Sequence, residues 1–192
     1  MKLSILIPSC DEPKINKMIK EVEACFPKAQ IVTCNDRYRL GKGWALRMAL
    51  AEATGDVVAF IDGDLDIHPN QIKRLLPFLT DYDIVIGGKH IRRSLGRRIL
   101  TKLSRIYTKL LFGLDIDTQT GVKVFHRYAL LPWYFNSFIF DIEILARARN
   151  KGLQIIEVPV EVKDYGTNSK PMKIKSIITS LQESYKLWLA LR

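Results

Sequence analysis

Apolar and polar positions follow a regular order along the first half of this chain. Short, largely apolar runs at 3–8, 31–34, 56–61 and 83–86 predict buried strands, each bounded by proline, glycine or polar residues. Between them, apolar residues recur every three or four positions, which predicts helices at 11–26, at 41–53 and from Pro69 onward. Strands and helices that alternate in this way indicate an α/β fold, a mostly parallel sheet flanked by helices.

The second half departs from this alternation. Its pattern predicts helices at 95–112, 138–150 and 172–192, with short strands at 121–125 and 154–162. No boundary for a second domain is visible, so we expect one domain over 1–171, and the helix 172–192 either belongs to it or lies on a membrane surface. No apolar run approaches the roughly 18–20 residues of a membrane span, and no signal peptide is recognised, so we expect a cytoplasmic protein.

The charge of the chain is concentrated in two segments. The net charge is +10, yet residues 84–114 carry eight basic and no acidic side chains, and residues 163–192 carry six basic and two acidic ones. Such segments attract phosphates, whether in nucleic acid, anionic lipid or a phosphorylated substrate. Aromatic residues are not interleaved with the basic ones, and no nucleic-acid-binding motif occurs, so we expect no nucleic-acid partner. A non-catalytic basic protein that binds nucleic acid remains an alternative.

Three aspartates follow the most apolar of the predicted strands. Asp62, Asp64 and Asp66 repel one another, and a divalent cation would relieve that repulsion. Oxygen ligands of this kind suit Mg²⁺ or Mn²⁺ bridging to a substrate diphosphate. The sequence therefore predicts a metal site formed by these three carboxylates. The alternative is an acidic turn in which Asp66 caps the helix near Pro69.

Several segments resemble family 2 glycosyltransferases in their order and spacing. They are residues 4–12 (SILIPSCDE), 41–45 (GKGWA), 53–56 (ATGD) and 62–66 (DGDLD). Further segments are similar to dolichyl-phosphate glucose and mannose synthases within that family. These are residues 117–125 (DTQTGVKVF), 140–145 (FDIEIL), 157–160 (EVPV) and 168–170 (NSK).

The resemblance implies a GT-A fold, which is Rossmann-like, and a function. It implies transfer of a hexose, with inversion, from GDP-mannose or UDP-glucose to a polyprenyl or dolichyl phosphate at the cytoplasmic face of a membrane. The implied nucleotide-sugar-binding residues are Pro8, Glu12, Asp36, Lys42, Asp62, Asp64 and Lys170. The implied acceptor-phosphate-binding residues are Lys89, Arg97, Arg98, Thr101 and Lys123. The implied catalytic residues are Asp64 and Asp141, although an acidic residue such as Asp141 in a first helical turn also favours the helix dipole.

The sequence departs from the family pattern at several of these positions. Asp11 stands where the family has asparagine and Cys10 where tyrosine is usual, and the loop after residues 35–36 is short. Lys89 and Lys123 replace arginines, and a lysine cannot form the two-pronged contact of a guanidinium. Other acceptors, such as a glycan or a protein, remain open. So does a nucleotidyltransferase, although its usual glycine-rich loop after the first strand is missing here.

The two basic helices each have two interpretations. The helix 95–112 has apolar Ile99, Leu103, Ile106 and Leu110 opposite its basic face, which is either a solvated surface or a site that holds an acceptor phosphate beside lipid. The helix 172–192 has a wide apolar face with flanking lysines, and it either packs on the core or lies in an anionic membrane interface.

Overall fold

The structure is a computed structural model that describes residues 1–89, 95–162 and 174–192, with only the backbone described at 89, 95–101 and 174–178. The strands are β1 Leu3–Ser9, β2 Gln30–Asn35, β3 Val57–Ile61, β4 Ile84–Lys89, β5 Val122–His126 and β6 Ile155–Val160. The helices are α1 Ile15–Cys25, α2 Lys42–Glu52, α3 Asn70–Leu75, α4 Leu95–Phe112, α5 Ile139–Asn150 and α6 Ile174–Ala190.

The described strands form one six-stranded sheet in the order β2-β1-β3-β5-β4-β6. β1 pairs in parallel with β2 and β3, and β4 pairs in parallel with β6. β5 is antiparallel to both of its neighbours, β3 and β4. The sheet is therefore mostly parallel, as the alternation of strands and helices predicts, and the carboxyl ends of β1 and β3 meet at the same edge.

Both faces of the sheet are covered by helices. Since alternate strand residues point to opposite sides, each face has its own set of core side chains. On one face, side chains such as Leu6 and Phe125 pack with residues of α2, α5 and α6. On the other face, side chains such as Ile5 and Val124 pack with residues of α1 and α3. Burial on both sides explains why the strands are continuously apolar rather than alternating.

Two glycines lie inside β4, although the sequence predicted that they end it. Gly87 and Gly88 pair with Val158 and Pro159 of β6, and the strand continues to Lys89. A Cβ at position 87 would lie 2.5 Å from Val122 Cγ1, so a larger residue would not fit there. These glycines permit close packing within the sheet, and the prediction of a strand end was wrong.

The two basic helices differ in how they meet the rest of the molecule. On α4, Arg105 Nη2 lies 2.6 Å from both carboxylate oxygens of Glu157 in β6, and Phe112 is buried. Its predicted apolar stripe is nevertheless exposed at Leu103, Ile106 and Leu110. Among the described residues, no helix combines the length and apolar character that crossing a bilayer requires.

On α6, one side packs on the core and another faces outward. Leu187 is fully buried in the cluster shared with α2 and α5, and Trp188 packs against that cluster. Leu181, Tyr185 and Leu189 are exposed. One side of α6 therefore packs on the core, as the first interpretation holds. Its exposed apolar side leaves contact with a membrane as a prediction.

Candidate active site

The carboxyl end of β3 brings Asp62 to the point where β5 begins. The backbone N–H of Asp62 donates to the carbonyl oxygen of Gly121 at 2.9 Å. A Cβ at position 121 would lie 2.5 Å from Asp62 Oδ2, so a larger residue would force the Asp62 carboxylate to move. The first aspartate of the acidic run is therefore held against β5 by backbone contact.

Lys42, the first residue of α2, is the partner of the Asp62 carboxylate. Its Nζ lies 2.6 Å from Asp62 Oδ1 and 5.7 Å from the centre of the Phe140 ring. Burial alone would lower the pKa of Lys42, but the charges of nearby carboxylates outweigh it and raise that pKa above its ordinary value. These carboxylates belong to Asp62, Asp141 and Asp64. Lys42 is thus a permanent cation among three carboxylates.

The acidic run itself is a strained turn. Leu65 has a φ of 61°, in the left-handed region that bulky residues rarely adopt, and its side chain is buried. Asp64 Oδ1 accepts the backbone N–H of Asp66 at 3.0 Å, and Lys14 Nζ donates to the carbonyl oxygen of Asp64 at 3.0 Å. Burial of the Leu65 side chain stabilises the turn that carries Asp64.

The three aspartates do not converge into a ready-made metal cage. Within the described part of the chain, no three His, Cys, Asp or Glu side chains are arranged to hold an ion together. Asp66, predicted as a third ligand, donates its backbone N–H to Asp64, and its role as a metal ligand stays a prediction. The alternative that Asp66 caps α3 is wrong, because α3 begins at Asn70 without a side-chain cap.

The acidic turn nevertheless fits a divalent cation bound together with a substrate. Mg²⁺ commonly takes one or two carboxylates from the protein and completes its shell with water and substrate phosphates. Asp62 and Asp64 offer such hard oxygen donors, and the ammonium of Lys42 already places a positive charge against Asp62. The donor set therefore suits Mg²⁺ or Mn²⁺.

A second lysine–aspartate pair lies beside the first and is more deeply buried. Lys123 Nζ donates to Asp141 Oδ1 at 2.6 Å and to the carbonyl oxygen of Thr120 at 2.7 Å. Both charged side chains are at most 4% exposed. Burial lowers the pKa of Lys123, and Lys42 lowers it further, while Asp141 opposes both effects. The charge of Lys123, predicted for an acceptor phosphate, is thus already balanced by Asp141.

The predicted nucleoside-binding residues adjoin this cluster on the side of β1 and β2. A Cβ on Gly63 would lie 3.6 Å from Glu12 Cγ and from the carbonyl oxygen of Pro8, so both residues border the acidic turn. Asp36 is buried, and its two carboxylate oxygens accept backbone N–H groups of the loop before α2 at 2.9 and 2.6 Å. Asp36 thereby fixes the loop that leads to Lys42.

Sequence reasoning missed the contacts that fix the start of α2. Gly43 donates its N–H to the carbonyl oxygen of Asn136, and Trp133 Nε1 donates to the carbonyl oxygen of Gly43, both at 2.9 Å. Arg47 Nη1 donates to the carbonyl oxygen of Trp133 at 3.1 Å, and Glu143, fully buried, accepts two backbone N–H groups of the same loop. The signal available in the sequence was a glycine inside a predicted helix, at position 43. The structure gives its reason, because a Cβ there would lie 2.5 Å from a backbone oxygen of this loop.

The remaining predicted site residues fall where the structure describes no side chains. Lys170 lies outside the described residues, and the side chains of Lys89, Arg97, Arg98 and Thr101 are likewise not described. Their assignment to the donor or to the acceptor phosphate stays a prediction.

Comparison with known proteins gives this geometry a context. A dolichyl-phosphate beta-glucosyltransferase of Trichomonas vaginalis is 28% identical over 186 residues, covering 88% of this chain and 57% of the relative. The dolichyl-phosphate beta-glucosyltransferase of Saccharomyces cerevisiae is 26% identical over 164 residues, covering 71% of this chain and 48% of the relative. The chain thus spans about half the length of these curated relatives.

Solved structures share the fold. Glucosyl-3-phosphoglycerate synthase of Mycobacterium tuberculosis superposes with a TM-score of 0.74 at 20% identity, over 99% of this chain and 80% of that one. The same enzyme in complex with Mn²⁺, uridine diphosphate and phosphoglyceric acid gives a TM-score of 0.73 at 19% identity, over 99% and 78% of the two chains. Residues 4–139 match the family model described as glycosyl transferase family 2. Since that match covers well over half of the chain, this protein belongs to glycosyl transferase family 2 and has its GT-A fold.

Proposed function

We propose that this chain transfers a hexose from a nucleotide sugar to the phosphate of a polyprenyl or dolichyl phosphate. The observation that carries the proposal is the charged cluster after β3, where Asp62 meets Lys42 and the turn presents Asp64. Carboxylates for a metal and an ammonium for phosphate oxygens, at the carboxyl end of a strand, suit a nucleoside diphosphate. The names of the curated relatives support glucose as the sugar and a lipid phosphate as the acceptor.

The donor would bind between the acidic turn and the residues after β1 and β2. Mg²⁺ or Mn²⁺, held by Asp62 and Asp64, would stabilise the charge that develops on the departing nucleoside diphosphate. The neighbouring Mycobacterium tuberculosis enzyme was crystallised with Mn²⁺ and uridine diphosphate, which supports a UDP sugar ahead of GDP-mannose. Pro8 and Glu12 border this turn and would contact the nucleoside.

The reaction would be a direct displacement with inversion. An oxygen of the acceptor phosphate forms a bond to the anomeric carbon from one face, while the bond to the diphosphate breaks on the other and its electron pair leaves with the diphosphate. A phosphate monoester has a second pKa of about 6 and is largely dianionic at neutral pH, so a strong general base is unnecessary. Asp141, fixed by Lys123, would orient the sugar or the acceptor.

The acceptor would approach along the basic N-terminal half of α4. Arg97, Arg98 and Thr101 lie on its first turns, and with Lys89 they would supply positive charge for the acceptor phosphate. We further propose that the protein works as a peripheral protein on the cytoplasmic face of a membrane. The exposed apolar residues of α4 and α6, next to many basic ones, support contact with an anionic bilayer.

The test is a transfer assay with purified protein, UDP-glucose or GDP-mannose, and dolichyl phosphate or 3-phosphoglycerate as acceptor. We expect transfer of glucose to dolichyl phosphate, lost with excess EDTA and in Asp64→Asn, whose circular dichroism should match the unchanged protein. Arg97→Ala combined with Arg98→Ala should reduce transfer to the lipid far more than hydrolysis of the sugar nucleotide.

Other results would reassign the activity. Transfer to 3-phosphoglycerate alone would replace the lipid acceptor by a soluble phosphate. Full activity in Asp64→Asn or with EDTA would exclude the metal-dependent mechanism. Release of pyrophosphate from a nucleoside triphosphate would indicate a nucleotidyltransferase.

A further inference from the structure

The charges of the candidate site are nearly balanced before any ligand arrives. Asp62, Asp64 and Asp141 bring three negative charges, and Lys42 and Lys123 bring two positive ones within the same cluster. A divalent cation that enters alone would therefore approach two resident ammonium groups as well as the carboxylates. The usual attraction of an acidic turn for a metal is reduced accordingly.

The two lysines differ in how freely their side chains can move. Lys123 is buried on β5, and its ammonium bonds Asp141 and a backbone oxygen. Lys42 stands at the first position of α2, directly after Gly41, whose φ is 112°. The backbone at this point is fixed because Gly43 bonds Asn136, but the four-carbon side chain of Lys42 is partly exposed and can turn about its own bonds.

We propose that Lys42 is a resident cation which occupies Asp62 until a metal-bound diphosphate arrives, and which thereby couples metal binding to nucleotide binding. The proposal rests on the function proposed above. A metal that binds alone competes with the ammonium for Asp62 and brings no new anion to which the ammonium could move. A metal that binds with a diphosphate brings phosphate oxygens to which the displaced ammonium moves.

This arrangement makes each ligand raise the affinity of the site for the other. By thermodynamic linkage, uridine diphosphate increases the affinity for Mn²⁺ by the same factor as Mn²⁺ increases the affinity for uridine diphosphate. Removal of the positive charge of Lys42 should lower this coupling factor. Without uridine diphosphate, Mn²⁺ should bind more tightly because Asp62 is free. With uridine diphosphate, the gain should disappear because the diphosphate loses a cationic partner.

The experiment measures free Mn²⁺ by electron paramagnetic resonance during titration of the full chain, with and without uridine diphosphate. The variants are Lys42→Met, which removes the charge, and Lys42→Gln, which keeps a hydrogen-bond donor. Lys17→Met, an exposed position on α1, is the matched control for loss of one positive charge. We expect the Lys42 variants to bind Mn²⁺ about tenfold more tightly without the nucleotide, and the coupling factor to fall by at least as much.

Several outcomes would overturn the proposal. Unchanged or weaker Mn²⁺ binding in both Lys42 variants without nucleotide would show that Lys42 does not compete for Asp62. An equal gain in Lys17→Met would show a general effect of net charge. The measurement without nucleotide involves no donor sugar and no acceptor, so failure of the transfer assay and failure of this proposal remain distinguishable.

Discussion

The Lys123–Asp141 pair shows how a buried ion pair depends on both of its members. Each side chain is almost fully enclosed, and each charge is neutralised mainly by the other. Removing one member leaves the other as an uncompensated charge inside the protein, whereas removing both replaces a costly desolvation by apolar contact. The pair therefore contributes to stability in a way that single and double substitutions can separate.

We predict that Lys123→Met lowers the free energy of unfolding by about 3–5 kcal/mol, because it strands a buried carboxylate. Lys123→Met combined with Asp141→Leu should lose clearly less than the single variant. The measurement is urea denaturation followed by circular dichroism. Lys109→Met is the control, since Lys109 and its partner Asp115 are both exposed and the midpoint should hardly move. If the double variant is less stable than the single one, the pair stabilises the fold and desolvation is not the main cost.

The sequence predicted the acidic residues of the site but not how their charges are paired. Asp62 and Asp64 stand out because they follow an apolar strand directly, which is a local pattern. Their relation to Lys42 depends on how the loop at 133–136 docks on α2, and that is decided by distant contacts. The same holds for Glu143, whose acidic position in a helical turn gave no hint of its backbone partners.

Strand order and helix attachment were the least predictable features of the fold. The bounds of α4 and the carboxyl end of β3 agree with the periodicity, because both depend on side chains close in sequence. The antiparallel insertion of β5 between β3 and β4 depends on pairing between distant segments. For α4, the sequence did not predict the ion pair between Arg105 and Glu157, which joins the helix to β6 beside the buried Phe112.

Glu157 in β6 contacts two other parts of the chain, α4 and the segment before β5. Its carboxylate accepts both contacts of Arg105 Nη2 and the backbone N–H of Asp117 at 2.9 Å. Glu157→Gln keeps the shape of the side chain but removes the charge, so it should weaken the contact with α4 more than that with Asp117.

We predict that Glu157→Gln speeds amide hydrogen exchange in residues 102–112 by about tenfold and leaves β1 and β3 unchanged, since local opening follows local contacts. Mass spectrometry of peptic peptides measures both regions. The control is Glu161→Gln, because the Arg74–Glu161 contact spans 3.9 Å between exposed side chains. Equal exchange in the two variants would mean that packing of Thr108 and Phe112, rather than the ion pair, holds α4.

Basic residues and exposed apolar residues occur together along both α4 and α6. Leu103, Ile106 and Leu110 recur every three or four positions on α4, as Leu181, Tyr185 and Leu189 do on α6. The C-terminal ends of these helices border one cavity of about 300 Å³, lined among others by Leu110, Trp188 and Arg192. Apolar stripes beside basic residues are typical of helices that lie at a membrane interface.

We therefore predict that the protein pellets with vesicles of phosphatidylcholine and phosphatidylserine at low salt and is released at high salt. Each basic residue near an anionic surface contributes about 1 kcal/mol, and this attraction is screened by salt.

Truncation before α6 would not test the idea, because it would remove Leu187 from the core. Replacing residues 103, 106 and 110, or residues 181, 185 and 189, with glutamine keeps the charge and should reduce pelleting at low salt. The fold should be preserved, since exposed side chains add little to stability. The matched control is glutamine at Met48 and Phe78, two exposed apolar residues elsewhere, which should leave pelleting unchanged. Pelleting that is equally strong without phosphatidylserine, or unaffected by both triple substitutions, would contradict the assignment of this surface to an anionic membrane.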